Sequence, residues 1–495
     1  MRNYRLFLSR SLDIGKMEDT MFSSFIEHLG RAVYGGIYLP GHPTADEDGF
    51  RNDVADVLRP LNLNLIRYPG GNFVSGYFWE DGIGPKENRP TKKEEAWKSI
   101  ETNEVGTDEF MKWIKKVGSH TMMAVNLGSG TTESARNLVE YCNGDGNGKY
   151  ATLRRKYGSE KPYAIKYWGL GNEMDGDWQI GHLPAEEYVV KAKEAARKMK
   201  EVDPNIKFIA CGSSSIDMAT FPEWDRIVMD GLYDEVDYLS IHQYFFQSTT
   251  EDDFYASYLA MDKYIDTFRG LLTYLQTKHR HSKPFYLCFD EYNVWYNIGE
   301  MPEDYVVAPH LLEEHQSMKD VLVFGGLLNA LVNNCDVVKI ACLAQLVNVI
   351  APVLTENDGG VLLNGIYYPF SNYCHYMRGM AKKIAVLSGD TFPSRFGDAH
   401  YISSCAVESD GVLNIQIVNY AKEETEVNLA LEGYDDLEFI SHEVLANEDL
   451  DARNTFEKPD AIAPKEAKGQ VKLSKGHMDI ALGKSSYNLI RLKVK

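Results

Sequence analysis

No stretch of this 495-residue chain approaches 18 consecutive apolar residues, the length a membrane-spanning helix requires. Its seven cysteines are odd in number and scattered, at 142, 211, 288, 335, 342, 374 and 405, with no CxxC pair and no framework spacing. That excludes a disulfide scaffold. Thiols kept inside apolar runs such as Phe285–Phe289 point to a reducing compartment. Positive charge is in short supply: 52 Lys and Arg stand against 72 Asp and Glu, a net −20. Such a surface repels phosphate backbones and anionic lipid, so no nucleic acid and no membrane is an expected partner, and an uncharged ligand suits it better. No GxGxxG follows a strand, and no HExxH is present. The segment Met1–Lys16 has no continuous apolar core of the secretory kind, so the expected location is cytoplasmic.

What is present is a globular composition, 44% hydrophobic and 25% charged, with 21 Phe, 30 Tyr and 7 Trp to bury. The length suits one large α/β barrel with a smaller companion. Short apolar runs recur, each ending in small or polar residues. Leu63–Tyr68 leads into Pro69-Gly-Gly71, Thr121–Leu127 into Gly128, Ile165–Leu170 into Gly171-Asn-Glu173, and Lys207–Cys211 into Gly212. Val236–Ile241 leads into His242-Gln-Tyr244, Pro284–Phe289 into Asp290-Glu-Tyr292, and Val337–Leu343 into Ala344-Gln345. Segments with helical spacing lie between them, for example Ala185–Val202 after a proline. These seven β-then-α units, with an eighth over Phe25–Tyr38, predict an α/β fold, a (β/α)8 TIM barrel over residues 19–384. From about residue 385 the pattern changes to short alternating runs (401–407, 412–418, 426–431, 487–492) broken by Asp and Gly turns. They predict an accessory all-β, jelly-roll-like sandwich made of residues 385–495 with 1–18, Leu6–Ile14 lending a strand.

The active site of such a barrel is built at the C-terminal ends of its strands. Asn72, Asn126, Asn172, Glu173, His242, Tyr244, Glu291 and Gln345 stand there, mostly neutral hydrogen-bonding groups with two carboxylates among them. That is the composition of a pocket for an uncharged sugar. Breaking an acetal needs an acid on the leaving oxygen and a negative group facing the anomeric carbon. Glu173, closing the fourth strand, and Glu291, closing the seventh, are the two candidates. Carboxyls about 5–5.5 Å apart serve a retaining double displacement, and facing carboxylates push their pKa values apart. Asn172 is placed to hold a substrate hydroxyl beside the reacting carbon. His242 and Tyr244, two residues apart on one strand, point the same way, His242 toward a carboxylate or hydroxyl and Tyr244 toward Glu291. A metal pair at Asp290 and Glu291 is the weaker reading, because His242 has no acidic neighbour in sequence; no metal and no cofactor is expected.

Taken together these residues resemble glycoside hydrolase family 51, the intracellular α-L-arabinofuranosidases. The resemblance runs through Phe25–Arg31, Tyr34–Tyr38, Arg67–Phe73, Val125–Leu127, Gly171–Gly176, Trp178–His182, Cys211–Ser214, Asp290–Asn293 and Ala344–Pro352. It implies a barrel with a β-sandwich, retention of configuration, no metal and commonly a hexamer. By position Glu173 matches the family acid/base and Glu291 the nucleophile. Glu27, Asn72, Asn172, His242, Tyr244 and Gln345 match residues that hold the furanose, and Trp97 and Trp178 match aromatic residues near the pocket mouth. The chain departs from the family pattern at 127–131, at Gly169, before Trp178 and at Val361–Gly365, the last a change expected to bear on the aglycone. The implied activity is release of terminal α-L-arabinofuranosyl residues from arabinan- or arabinoxylan-derived oligosaccharides. An endo-β-glycanase or β-xylosidase of the same barrel clan is the alternative. A non-catalytic carbohydrate-binding protein would have no need of both carboxylates.

Overall fold

The computed structural model describes residues 1–247, 250–296, 301–467 and 469–495. Eight parallel strands close a barrel in chain order: Ser23–Phe25, Leu65–Tyr68, His120–Ala124, Tyr167–Leu170, Lys207–Cys211, Tyr238–Phe245, Tyr286–Val294 and Val338–Leu343. The first strand pairs with the second on one side and the eighth on the other, which completes the ring. Side chains alternate between lumen and helical layer. Phe25, Leu65, Met122, Ile209, Cys288, Ile340 and Cys342, from six of the strands, form one packed cluster that fills the barrel. Ile66 and Tyr68 face outward into the main core.

Seven of the eight expected runs coincide with strands, and the remaining one differs. The first strand ends at Phe25, and the segment beyond it is irregular instead of helical until Asn52–Leu58. Its polar side chains explain why: Glu27, His28 and Arg31 are all buried and spoken for by hydrogen bonds to distant segments. Strand seven also runs past its expected end, through Glu291 to Val294, with a register shift between Cys288 and Glu291.

The helices carry their apolar residues on one face. Ala185–Val202 follows Pro184 and buries Tyr188, Ala192, Ala195, Ala196 and Met199 at helical spacing. Met318–Asn333 is different: it is buried all round from Asp320 to Val332, and Ser317 with Asp320 caps its start. This helix lies between barrel and sheet. A Cβ on Gly326 would stand 2.1 Å from the Tyr420 hydroxyl, so only a glycine lets the sheet approach so closely.

The second unit is a curled ten-stranded sheet with its own apolar core of Leu6, Leu8, Ile415, Ile417, Leu429, Ile480 and their neighbours. The runs expected after residue 400 appear as Ile402–Ser409, Val412–Asn419, Thr425–Glu432 and Ser486–Val494. Thr425–Glu432 alternates buried and exposed residues along most of its length. Met380–Ser388, Leu437–Ala446, Val471–Ser474 and His477–Leu482 are further strands that the sequence pattern did not mark. The N-terminal strand, Arg2–Lys16, sits inside this sheet, parallel to Thr425–Glu432 and antiparallel to Met380–Ser388. All seven cysteines are free and buried. Among the described residues, no helix is long and apolar enough to cross a membrane.

Candidate active site

Arg67 is the buried centre of the site. It follows Leu65 on the lumen side of the second strand, so its guanidinium rises out of the packed layer and over the Phe25 ring, 4.4 Å from the centroid. From there Nη1 donates to Glu291 Oε1, Nη2 donates to Asn172 Oδ1, and Nε lies 3.2 Å from Asp290 Oδ2. Burial alone would discharge the arginine, but Asp290 and Glu291 outweigh it and hold the guanidinium firmly charged. Burial likewise pushes Asp290 up, yet Arg67 and His242 bring it below the usual carboxylate range.

His242 stands directly across from Glu291 in the pairing of strands six and seven. Its Nδ1 is 2.9 Å from Glu173 Oε1 and 3.6 Å from Glu291 Oε1, and its Nε2 is 3.3 Å from Asp290 Oδ1 and 3.1 Å from Ser240 Oγ. The absence of acidic neighbours in sequence therefore misled: the fold surrounds this histidine with three of them. Burial lowers its pKa, but Glu291 and Asp290 raise it more, to about 10. Carboxyl groups facing both nitrogens favour the form of the ring that is protonated on both. Glu173, His242 and Glu291 are the group whose geometry could hold a cation, their ligand atoms lying within 4.8 Å of one another. A protonated imidazole has no lone pair to offer one.

The two carboxylates that the sequence singled out, Glu291 and Glu173, are held differently. Glu291 receives Arg67 on Oε1 and the Tyr244 hydroxyl on Oε2 at 2.7 Å. Glu173 receives His242 on one oxygen and the indole N–H of half-exposed Trp178 on the other, at 2.8 Å. Its backbone is left-handed, φ +42°, an arrangement rare outside glycine that turns the side chain in over the barrel mouth.

A third carboxylate, Glu27, closes the opposite wall. The Phe73 amide and the Trp97 indole donate to its Oε1, each at 2.9 Å, and Gln345 Nε2 donates to its Oε2 at 3.0 Å. Burial raises its pKa to about 7 against those donors, with the charge of Glu291 adding to the rise. Trp97 comes from a hairpin, 92–101, whose turn Glu94 holds by accepting the backbone N–H of Ala96 and Trp97.

These groups converge on a cavity of about 410 Å³. Glu27, Asn72, Trp97, Glu173, Trp178, Tyr244, Glu291 and Gln345 line it, joined by Trp295, Phe246, Leu312 and Ile350. Asn172 and His242 lie just behind the wall: Asn172 is buried, accepting from Arg67 and set 3.4 Å from Asn72 Oδ1. Gly71 makes the floor, and a Cβ there would meet Glu291 Oε1 at 3.0 Å and Glu27 Oε2 at 3.4 Å. Asn126, grouped with these residues by its strand-end position, is elsewhere. It accepts from the amides of Gly128 and Gly130 and donates to Tyr77, which makes it an organiser of its own loop. The divergent segment Val361–Gly365 is also outside the cavity wall, its strand Val361–Leu363 paired with Val353–Thr355. Sequence reasoning gave no role to Arg67 or Ser240, and weighed Asp290 only as half of a metal pair with Glu291. The available signal was an arginine following the apolar pair Leu65-Ile66, at the inward position that alternates with Leu65.

Comparisons agree with this geometry. The family described as α-L-arabinofuranosidase 1 domain matches residues 57–265, and that described as α-L-arabinofuranosidase C-terminal domain matches residues 290–486. The intracellular exo-α-(1→5)-L-arabinofuranosidase 1 of Bacillus subtilis is 43% identical over 100% of this chain and 99% of its own length. An exo-α-(1→6)-L-arabinofuranosidase of Bifidobacterium longum is 41% identical over 92% of this chain and 90% of its own. Among solved structures, a family 51 α-L-arabinofuranosidase from Bifidobacterium longum superposes with a TM-score of 0.94 at 35% identity, covering 99% of this chain and 100% of that one. The chain belongs to the α-L-arabinofuranosidases of glycoside hydrolase family 51.

Proposed function

We propose that this protein is an exo-acting, retaining α-L-arabinofuranosidase that removes terminal arabinofuranosyl residues from arabinose-containing oligosaccharides, with Glu291 as nucleophile and Glu173 as acid/base. The observation that carries this reading is the spacing of the pair: a carboxylate oxygen of each lies within 4.8 Å of the other. Inverting enzymes hold their carboxyls about 6.5–9.5 Å apart to admit a water, whereas retaining ones need no such gap. The chemistry then follows. Glu291 attacks the anomeric carbon while Glu173 gives its proton to the departing oxygen, leaving an ester between sugar and Glu291. Glu173, now ionised, takes a proton from water, which attacks the same carbon and frees Glu291. Arg67 and Tyr244 fix the nucleophile's two oxygens, and Glu27, Asn72, Gln345 and Trp97 present hydrogen-bonding groups to the ring hydroxyls. No metal or cofactor enters this scheme.

A pocket of this size takes in one sugar ring, which supports cleavage from a chain end. Relatives named for (1→5) and for (1→6) linkages are about equally similar, so the bond cleaved depends on groups outside the ring pocket. Relatives named intracellular support a cytoplasmic location. The boundary expected at 384 falls inside the strand Met380–Ser388, so we read the chain as dividing near residues 18 and 379 into barrel and sheet units, and as assembling into a hexamer, a size that sedimentation velocity will report. Aryl α-L-arabinofuranoside, β-xyloside and β-glucoside turned over side by side test the activity, arabinofuranoside being the expected best substrate. Faster turnover of a β-pyranoside overturns it, and inverted product seen by proton NMR in the first turnovers overturns the retaining route.

A further inference from the structure

We infer that the sheet unit supplies a second sugar-binding chamber beside the catalytic pocket, one that holds the part of the oligosaccharide beyond the bond being cleaved. This rests on the exo-acting arabinofuranosidase reading above. The chamber, about 200 Å³, lies where the hairpin formed by Thr391–Ser394 and Gly397–His400 reaches the barrel mouth. Its tip, Arg395 and Phe396, is fastened to two barrel loops. The Arg395 amide donates to Asp253 Oδ1 at 2.7 Å, beyond the sixth strand, and its guanidinium lies 3.2 and 3.4 Å from the carboxylate of Asp217, beyond the fifth.

Position is the first argument. The chamber and the catalytic pocket share Ser215, Gln243, Tyr244 and Phe246, so one wall serves both. A leaving group departs on the side of its proton donor, which is Glu173, beyond the fourth strand. Asp175, two residues on, accepts the amide and hydroxyl of Ser214 at 3.0 and 3.2 Å. The rim therefore runs from Glu173 through Ser214 and Ser215 into the chamber, away from the Glu27 and Trp97 wall.

Chemistry is the second. The Arg395 guanidinium lies 4.5 Å from the centroid of the Phe396 ring, and on the other side Phe246 leans on Trp295 of the catalytic pocket, ring centroids 5.6 Å apart. Arg395 and Asp217 remain about half exposed, at 47% and 54%. A guanidinium has five donors and a carboxylate about four acceptor sites, so their mutual pairing leaves both able to bind hydroxyls. Aromatic faces for C–H surfaces with charged edges for hydroxyls are what an uncharged furanose or pyranose ring requires. A hairpin serving only to tie the two units together would have no use for a cavity under its tip.

The test compares an aryl α-L-arabinofuranoside with di-, tri- and tetrasaccharides ending in arabinofuranose. Wild-type kcat/KM is expected to rise with chain length. Arg395→Ala and Phe396→Ala each reduce the ratio of long-substrate to aryl-substrate kcat/KM by about tenfold, mainly through KM, and Arg395→Lys recovers part of it. Melting curves of each variant confirm folding. Equal losses on aryl and long substrates, or an unchanged ratio, overturn the inference. Normal turnover of arabinofuranosides with no length dependence in the wild type overturns it alone; no turnover of any arabinofuranoside overturns the functional reading and this inference together.

Discussion

Tyr244 reaches Glu291 diagonally across two neighbouring strands, its hydroxyl 2.7 Å from Oε2, while the residue in register with Glu291 is His242. Glu291, the proposed nucleophile, is thus gripped from a strand six position that a simple pairing diagram would not select. Tyr244→Phe removes that hydroxyl and leaves Arg67 on the other oxygen. The loss should appear in kcat, about 10- to 100-fold, because a hydrogen bond to a charged group contributes about 1.5–3 kcal/mol. A change confined to KM would mean that Tyr244 serves the sugar and not the nucleophile.

The two glutamates should fail in different ways. Glu291→Ala abolishes turnover on every substrate, since no other side chain replaces the attacking oxygen. Glu173→Ala spares aryl arabinofuranosides with good leaving groups far more than oligosaccharides, because only a poor leaving group needs the proton. Steady-state rates on a series of aryl leaving groups check this, and equal losses across the series would refute the division of roles.

Stability should fall as pH rises, in a lower step shared by buried carboxyls, Asp225 among them, and an upper step that belongs to His242. Burial raises Asp225 from 3.8 to about 7 against the Ser213 amide, so its contribution is present below pH 3.8 and is lost as pH passes through about 7. His242, raised from 6.5 to about 10 by the carboxylates around it, contributes fully below pH 6.5 and loses that contribution as pH passes through about 10. Melting temperatures from pH 5.5 to 10.5 should therefore decline; Asp225→Asn removes only part of the lower decline, which Glu27, Glu94 and Asp262, also raised to about 7 by burial, share, and His242→Gln flattens the upper part. A wild-type curve that rises through this range contradicts both assignments.

Gly71→Ala tests how tightly the floor is drawn. The added methyl would press on Glu291 Oε1 and Glu27 Oε2 from 3.0 and 3.4 Å. A misplacement of about 1 Å can cost about 100-fold in rate, so a shift of a few tenths of an ångström in Glu291 should lower kcat by roughly several-fold. Melting temperature should change little, because the carboxylates can yield into the open pocket. A large drop in melting temperature with normal kcat would show the glycine to be needed for folding alone.

Much of this was legible in the chain. Strand ends carrying Asn72, Glu173, His242, Tyr244, Glu291 and Gln345 are places where an apolar run stops, and that signal is local. What escaped was set by contacts across the barrel. Arg67 sits within an apolar run and looks like a salt-bridged edge residue until the lumen brings Asp290 and Glu291 to it. Asn126 satisfies the same strand-end rule as Asn72, yet its loop folds back on it, and nothing in neighbouring residues separates the two. Glu27 belongs to a segment that forms no regular element, so only its resemblance to family members marked it. The strand Met380–Ser388 was obscured because the change of pattern near residue 385 falls inside it.

The placing of Arg2–Lys16 inside the ten-stranded sheet also sets an order of events during synthesis. This strand leaves the ribosome well before its partners Met380–Ser388 and Thr425–Glu432. At roughly 5–20 residues per second, it waits roughly 20 to 85 seconds for the second of these partners. All eight barrel strands, and with them both glutamates, are out before that. Until Met380–Ser388 emerges, a strand bearing Leu6 and Leu8 has both edges bare, the state in which strands recruit foreign partners.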